Sequence, residues 1–262
     1  MRYAVGSGPA LPLLRSSLGA LGALADLALP RACGGCARSG AVWCAQCAAE
    51  VAGAVHPAGA GAWAPTPCPP GMPPAWAAAP YDGALRAALV AWKDADRRDL
   101  GEVLVPVLSG AVARAVVADP VTRAVLAAGN GPVLAVPVPS SAASVRRRGD
   151  APLQQLVRRA CARLDPTGGA LLPAPALTLR RRVADQAGLG HRARAANLEH
   201  AMAVRGHWRP VVAGATCLVL DDVLTTGATL LEAARALRAG GAAHVAVVTV
   251  AATRRHGIPG QA

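Results

Sequence analysis

Cys217-Leu-Val-Leu-Asp-Asp-Val-Leu-Thr-Thr-Gly-Ala-Thr229 decides how the rest of the chain is read. Residues 216–220 are short and apolar, as a central parallel strand covered on both faces should be. The run leads into Asp221 and Asp222, two carboxylates at a strand's carboxyl end, where open α/β sheets hold their ligands. Thr225, Thr226, Gly227, Ala228 and Thr229 follow as a hydroxyl- and glycine-rich turn, and the pattern beyond predicts a helix over 229–239. Hydroxyls and close backbone approach at a helix N-terminus make a cradle for phosphate. Paired acids beside it can accept hydrogen bonds from vicinal ribose hydroxyls, directly or through Mg²⁺, whose ligands are oxygens. Good capping residues would account for a single Asp or Thr at such a turn. The whole order of strand, Asp-Asp, two residues, Thr-Thr-Gly-Ala-Thr and helix points instead to a ligand, a sugar phosphate.

Working outward, strands and helices alternate. The patterns predict helices over 81–93 and 100–118, the second interrupted by Pro106. They predict a strand over 133–138, a helix over 152–164 and strands over 176–179, 218–220 and 245–251. Such alternation predicts an α/β domain over 81–262, a mostly parallel sheet with helices on both faces. Residues 57–80 are rich in Pro, Ala and Gly and read as a linker. Residues 1–29 form an apolar segment whose stretch 11–29 suits an amphipathic helix packed on the body. Arg15 and Asp26 interrupt its hydrophobic run and the basic start of a secretion signal is missing, so a cytoplasmic protein without a membrane span is expected.

Composition bounds the function. The 262 residues carry 53% hydrophobic and 16% charged side chains, which describes a globular chain rather than a disordered one. A net charge of +12 suits anionic ligands, phosphates or nucleic acid. Aromatic residues are only 3%, which argues against recognition of single strands by stacking. Phe is absent, and Lys93 is the one lysine in a chain whose other basic residues are Arg. That bias toward Ala, Arg, Gly and Pro is what a GC-rich genome gives, and it makes the retained Lys93 a candidate ligand contact.

Residues 30–56 hold two Cys-x-x-Cys pairs, Cys33 with Cys36 and Cys44 with Cys47, seven residues apart. Four thiolates make a closed structural Zn²⁺ site, and the short gap predicts a compact knuckle. Disulfides would suit an oxidising compartment, but seven cysteines and no convincing export signal speak against them. A redox motif would need only one pair. Cys68, Cys161 and Cys217 lie outside the pairs and read as small buried apolar residues.

Two basic stretches remain. Ser140 and Ser141 open a polar loop after the strand at 133–138, and Arg146, Arg147 and Arg148 close it. Arg180, Arg181 and Arg182 begin a second, aperiodic stretch containing Gln186, Leu189, Arg194 and Asn197, which reads as a mobile loop able to close over a ligand. A solvated Arg-rich turn is the plain reading of either.

The 217–229 run resembles the phosphoribosyl pyrophosphate (PRPP) signature of type I phosphoribosyltransferases. The chain from about 29 to 252 further resembles the ComF family of competence-associated, phosphoribosyltransferase-like proteins. The resemblance rests on Leu29-Pro-x-x-Cys-x-x-Cys, Tyr81-Asp-Gly83, Lys93, Val136-Pro-Val-Pro139 and Arg147-Arg-Gly149, then on the spacing Gln186…Leu189…Arg194…Asn197 and the 217–229 run. It implies a type I phosphoribosyltransferase-like α/β fold with a small N-terminal zinc module. It also implies ribose hydroxyls at Asp221 and Asp222, the 5′-phosphate at the turn 225–229, and pyrophosphate at the loop with Arg146, Arg147 and Arg148. Lys93, Ser140, Ser141, Arg182, Gln186, Arg194 and Asn197 become further contacts. Asp150, Ala151 and Pro152 depart from the aromatic and Asn-Gln-like pair expected after Gly149, and Val183 and Met202 stand where Thr and Phe are common.

Association with DNA uptake follows from the same resemblance, and a transferase reaction does not, because no residues name an acceptor base. If chemistry occurs, a nitrogen nucleophile displaces pyrophosphate from C1 of the ribose. The competing class is a non-catalytic accessory protein that meets single-stranded DNA through the basic loops or a competence helicase through the zinc module.

Overall fold

The computed structural model describes residues 32–55, 63–129, 131–140, 149–180 and 200–253. In chain order these form α1 (Ala45–Ala54), β1 (Ala75–Pro80), α2 (Gly83–Asp94), α3 (Gly101–Ala118), α4 (Pro120–Ala128) and β2 (Val133–Pro137). Then come α5 (Pro152–Leu164), β3 (Leu171–Pro173), β4 (Leu177–Leu179), β5 (Met202–Val204), α6 (Arg209–Val212), β6 (Thr216–Leu224), α7 (Ala228–Ala239) and β7 (His244–Ala252). The helix expected over 11–29 lies outside the described residues.

Five strands make one sheet in the order β1-β7-β6-β2-β3, every pair parallel. β2 is buried at all five positions and β7 at every position after His244, so both faces of the sheet are covered. Chain direction explains how. From β6 through α7 to β7 the chain steps toward one edge, and from β2 through α5 to β3 it steps toward the other. Right-handed crossovers, the rule between parallel strands, put α7 and α5 on opposite faces. α5 packs against α3, which also lies on β1 and β7, while α7 packs on β6, β7 and the β4–β5 hairpin.

The α/β expectation holds, with local corrections. Residues 57–80 do not act as linker to their end, since β1 occupies the last six and pairs with β7. Its Ala-rich sequence, Ala-Trp-Ala-Ala-Ala-Pro, hides a strand because buried alanines carry no period-two signal. The strand expected over 176–179 forms as β4 but stands outside the main sheet, antiparallel to β5. β6 does not stop at Leu220; it continues through the two acids to Leu224. Pro106 does not interrupt α3. Its missing N–H would have bonded the Glu102 carbonyl, and both residues face solvent, so water can serve the freed carbonyl. α4 went unread, although Asp119 caps it by accepting from the Thr122 N–H at 3.0 Å, Pro120 begins it and Gly129 ends it at φ +62°.

By length and apolarity the segment Arg98–Ala118 passes as a membrane-crossing helix, but half of its apolar window is buried inside the fold. The cysteine segment is packed on the domain and not merely tethered to it. Cys33, Cys47 and Val51 belong to the same continuous core as Leu85, Leu89 and Leu100. Gly34 sits so close to Leu100 that a Cβ there would lie 2.5 Å from Cδ2.

Candidate functional site

β6 and β2 are neighbours whose onward connections leave in opposite directions, which opens a crevice at their carboxyl ends. Three pieces of chain meet there. β6 brings Asp221 and Asp222, the turn 225–227 leads into α7, and the residues after β2 run past β6 through a hydrogen bond from the Val138 N–H to the Leu220 carbonyl, 2.9 Å. Ser140, the last described residue of that run, is half-buried.

The two acids differ. Successive side chains of a strand leave opposite faces, so Asp222 goes with Leu220 and Leu224, and Asp221 with Val223. Asp222 is buried, and its Oδ1 accepts from the Val223 N–H at 2.9 Å. Its Oδ2 lies 2.6 Å from Lys93 Nζ, which α2 carries in its last turn. Asp221 is half-buried and its Oδ1 accepts from the Asp222 N–H at 2.8 Å. Burial, and then the charge of Asp222, push Asp221 up to about 8 against the pull of Lys93. For Lys93 burial works against the charge, yet Asp222 and Asp221 outweigh it and hold the ammonium above its usual value.

The turn is built for close approach. Gly227 is buried at φ +78°, a left-handed conformation that favours glycine. A Cβ there would stand 3.2 Å from both Met72 Sδ and Pro65 Cγ, so the stretch before β1 lies against the turn. Arg238 of α7 donates from Nη1 to the Gly71 carbonyl at 3.1 Å and holds that stretch in place. Thr225 is exposed, while Thr226 and Thr229 are half-buried. Thr226 Oγ1 accepts from the Ala228 N–H at 3.4 Å. Gly227, which precedes α7, has no side chain to cap it, so beyond the Ala228 N–H the first turn's N–H groups are left for a ligand or water.

Of the residues singled out in the sequence, the structure brings together Asp221, Asp222, Lys93, Ser140 and the turn 225–229 at this end of the sheet. The partner it gives Lys93 is a carboxylate. Ser141, Arg146, Arg147, Arg148, Arg182, Gln186, Arg194 and Asn197 lie outside the described residues. Asp150, at the base of the first basic loop, forms a two-pronged pair with Arg98, Nε to Oδ2 2.9 Å and Nη2 to Oδ1 3.1 Å. No motif marked the pairing of Arg98 with Asp150 or of Glu50 with the Ala84 N–H, 52 and 34 residues away.

The second cluster is formed by Cys33, Cys36, Cys44 and Cys47, whose Sγ atoms all lie within 4.8 Å of one another. Cys36 and Cys44 Sγ stand 3.7 Å apart. Thiolates about 2.3 Å from one tetrahedral ion would be roughly 3.8 Å apart, so the four fit a zinc ion. The N–H groups of Gly35 and Cys44 point at Cys33 Sγ from 3.5 and 3.4 Å. Burial opposes ionisation of Cys33, but backbone N–H groups of Cys36, Cys44 and Gly35 bring its thiol down to about 6. Cys44 is lowered chiefly by the Cys47 N–H, whereas burial pushes Cys47 up.

Residues 87–260 match the family model of the phosphoribosyl transferase domain, which is more than half of the chain. No curated protein matches the chain.

Proposed function

The chain belongs to the phosphoribosyl transferase domain family, and on that premise we propose that it binds PRPP with Mg²⁺, or a closely related sugar phosphate, in the crevice between β6 and β2. One observation carries the reading: the acids of β6 run directly into a glycine turn and the uncapped start of α7. In this reading Asp221 and Asp222 take the ribose hydroxyls, directly or through Mg²⁺. Thr225, Thr226, Gly227, Ala228 and Thr229 hold the 5′-phosphate with hydroxyls and backbone N–H groups. Pyrophosphate falls to the basic loop between β2 and α5, where Arg spreads phosphate charge. The four cysteines hold a structural zinc ion, which stabilises a segment too small to fold by itself.

The finer assignment is a ComF-type protein of DNA uptake, acting in the cytoplasm. It is supported by the four-cysteine cluster ahead of the transferase domain and by the order of motifs from Leu29 to Gly227. A net charge of +12 supports the second reading, an accessory protein that meets DNA or a helicase without transferring a ribosyl group.

Calorimetry with PRPP–Mg²⁺ tests the ligand. The wild type is expected to bind and Asp222→Asn to bind more weakly while keeping its fold. No heat from the wild type, or equal affinity in the variant, overturns the assignment.

A further inference from the structure

Lys93 and Asp222 are 129 positions apart in the chain and stand 2.6 Å apart in the fold. Asp222 is 8% exposed and Lys93 52%, so the pair lies at the rim of the crevice, the acid inside and the ammonium reaching in from α2. Both Asp222 oxygens thereby have one donor, Val223 N–H on Oδ1 and Lys93 on Oδ2. Each keeps a second lone pair, which is what a ribose hydroxyl or a hydrated Mg²⁺ needs.

Lys93 itself is held. The buried residues Leu85, Leu89 and Trp92 seat α2 on the core, and Lys93 follows Leu89 by one helical turn. At the N-terminal end of α2, Asp82 accepts from the Gly83 N–H and Glu50 Oε1 from the Ala84 N–H, both at 2.8 Å. Glu50 stands in α1, three residues beyond Cys47, so the cysteine module grips the start of the same helix. Gly83 at φ +49° admits that contact, since a Cβ there would lie 2.0 Å from Glu50 Oε1. At the far end Arg98 Nη1 donates to the Trp92 carbonyl at 2.7 Å.

We propose that Lys93 is a positioning residue of the sugar-phosphate site, fixing the Asp222 carboxylate in the orientation that meets the ribose, with α2 as a strut anchored on the cysteine module. The role rests on the reading of the site given above. The charges that act most strongly on Lys93 are Asp222, Asp221 and its own neighbour Asp94, and Lys93 is the positive charge that pulls Asp221 down. Without it Asp222 Oδ2 loses its donor, the carboxylate is held through Oδ1 alone, and the neighbouring acids lose a nearby positive charge.

The experiment compares wild type, Lys93→Met and Lys93→Arg by PRPP–Mg²⁺ calorimetry from pH 6.5 to 9, with side-chain carboxyl titration of the ligand-free proteins by NMR. Lys93→Met is expected to bind about three- to tenfold more weakly, with the larger loss at the lower pH. Its acidic pair should titrate at higher pH than in wild type, and Lys93→Arg should restore most of both effects. A plain tie between α2 and the sheet would lower the melting temperature without moving either pH profile. A wild type that binds no PRPP–Mg²⁺ overturns the reading of the site and this role with it. A wild type that binds, beside a Lys93→Met variant of equal affinity and equal pH profile, overturns the role of Lys93 alone.

Discussion

Arg98 grips Asp150 through two nitrogens, Nε at 2.9 Å and Nη2 at 3.1 Å. The pair joins the connection between α2 and α3 to the base of the basic loop that precedes α5. Asp150 is where the sequence departs from the aromatic expected after Gly149, and the fork gives that departure a physical role. With both side chains about a quarter exposed, the pair is only partly screened. Asp150→Ala is expected to lower unfolding stability by about 1 kcal/mol. A double-mutant cycle with Arg98→Met checks it in urea melts; a coupling indistinguishable from zero would leave the fork without energetic weight.

Asp221 sets a pH dependence. Its ordinary carboxyl value is about 4, and burial with the charge of Asp222 takes it to about 8 in the fold. The folded chain therefore holds a proton that the unfolded chain releases between these values. The stability this gives is complete below the unfolded value and fades as pH rises through about 8. Ligand binding runs the other way, because a ribose hydroxyl donates to a carboxylate. At pH 7.5, PRPP–Mg²⁺ binding should release a fraction of a proton, read from calorimetry in buffers of different ionisation enthalpy. The release should vanish above about pH 9. Binding without proton exchange at pH 7.5 would mean that Asp221 does not carry the ribose contact.

The fold was legible where chemistry and periodicity coincide, and illegible where one is silent. α5 is read to the residue, 152–164, because Pro152 opens it and its apolar positions recur at helical spacing. β1 escaped because alanine carries little pattern, and α4 because its cap, Asp119, followed a long helix whose end was already assigned. The extension of β6 past Leu220 was hidden by the acids themselves, since charged residues end most sequence-based strands. Of the site, the acidic pair and the turn were readable as a contiguous motif. Lys93 was noticed as the only lysine, but its partner was not, since pairings across 129 residues leave no local trace. Glu50 and Arg98 leave none for the same reason.

The cysteine cluster predicts a metal-dependent fold. One zinc per protomer is expected on metal analysis of the purified protein, and Cys44→Ser should lower that content and the melting temperature together. Chelation should destabilise more than the first 55 residues, because Cys33, Cys47 and Val51 share the core of the domain and Glu50 supports the start of α2. Hydrogen exchange that rises in α1 alone after chelation would show the module to be energetically separate. Competition with protons should weaken the site as pH falls, and Cys47, whose thiol burial pushes up, regains its proton before Cys33 does at about 6.

Nucleic acid is the last test. A net charge of +12 favours DNA, while an aromatic content of 3% leaves little to stack on bases. Binding to single strands should therefore be electrostatic and indifferent to sequence. If four phosphates are neutralised, raising salt from about 50 to about 200 mM should weaken it about fiftyfold through counterion release. Arg146, Arg147, Arg148 and the arginines from Arg180 to Arg194 are the residues with the charge to do this. The first three precede Asp150, which Arg98 holds, by two to four residues. PRPP–Mg²⁺ and DNA should accordingly compete, and added PRPP should release labelled single-stranded DNA. Release at constant ionic strength is the decisive reading, because Mg²⁺ and pyrophosphate groups alone screen charge. DNA that stays bound while PRPP saturates its own site would put the nucleic-acid surface elsewhere, and salt-insensitive or sequence-selective binding would exclude the electrostatic account altogether.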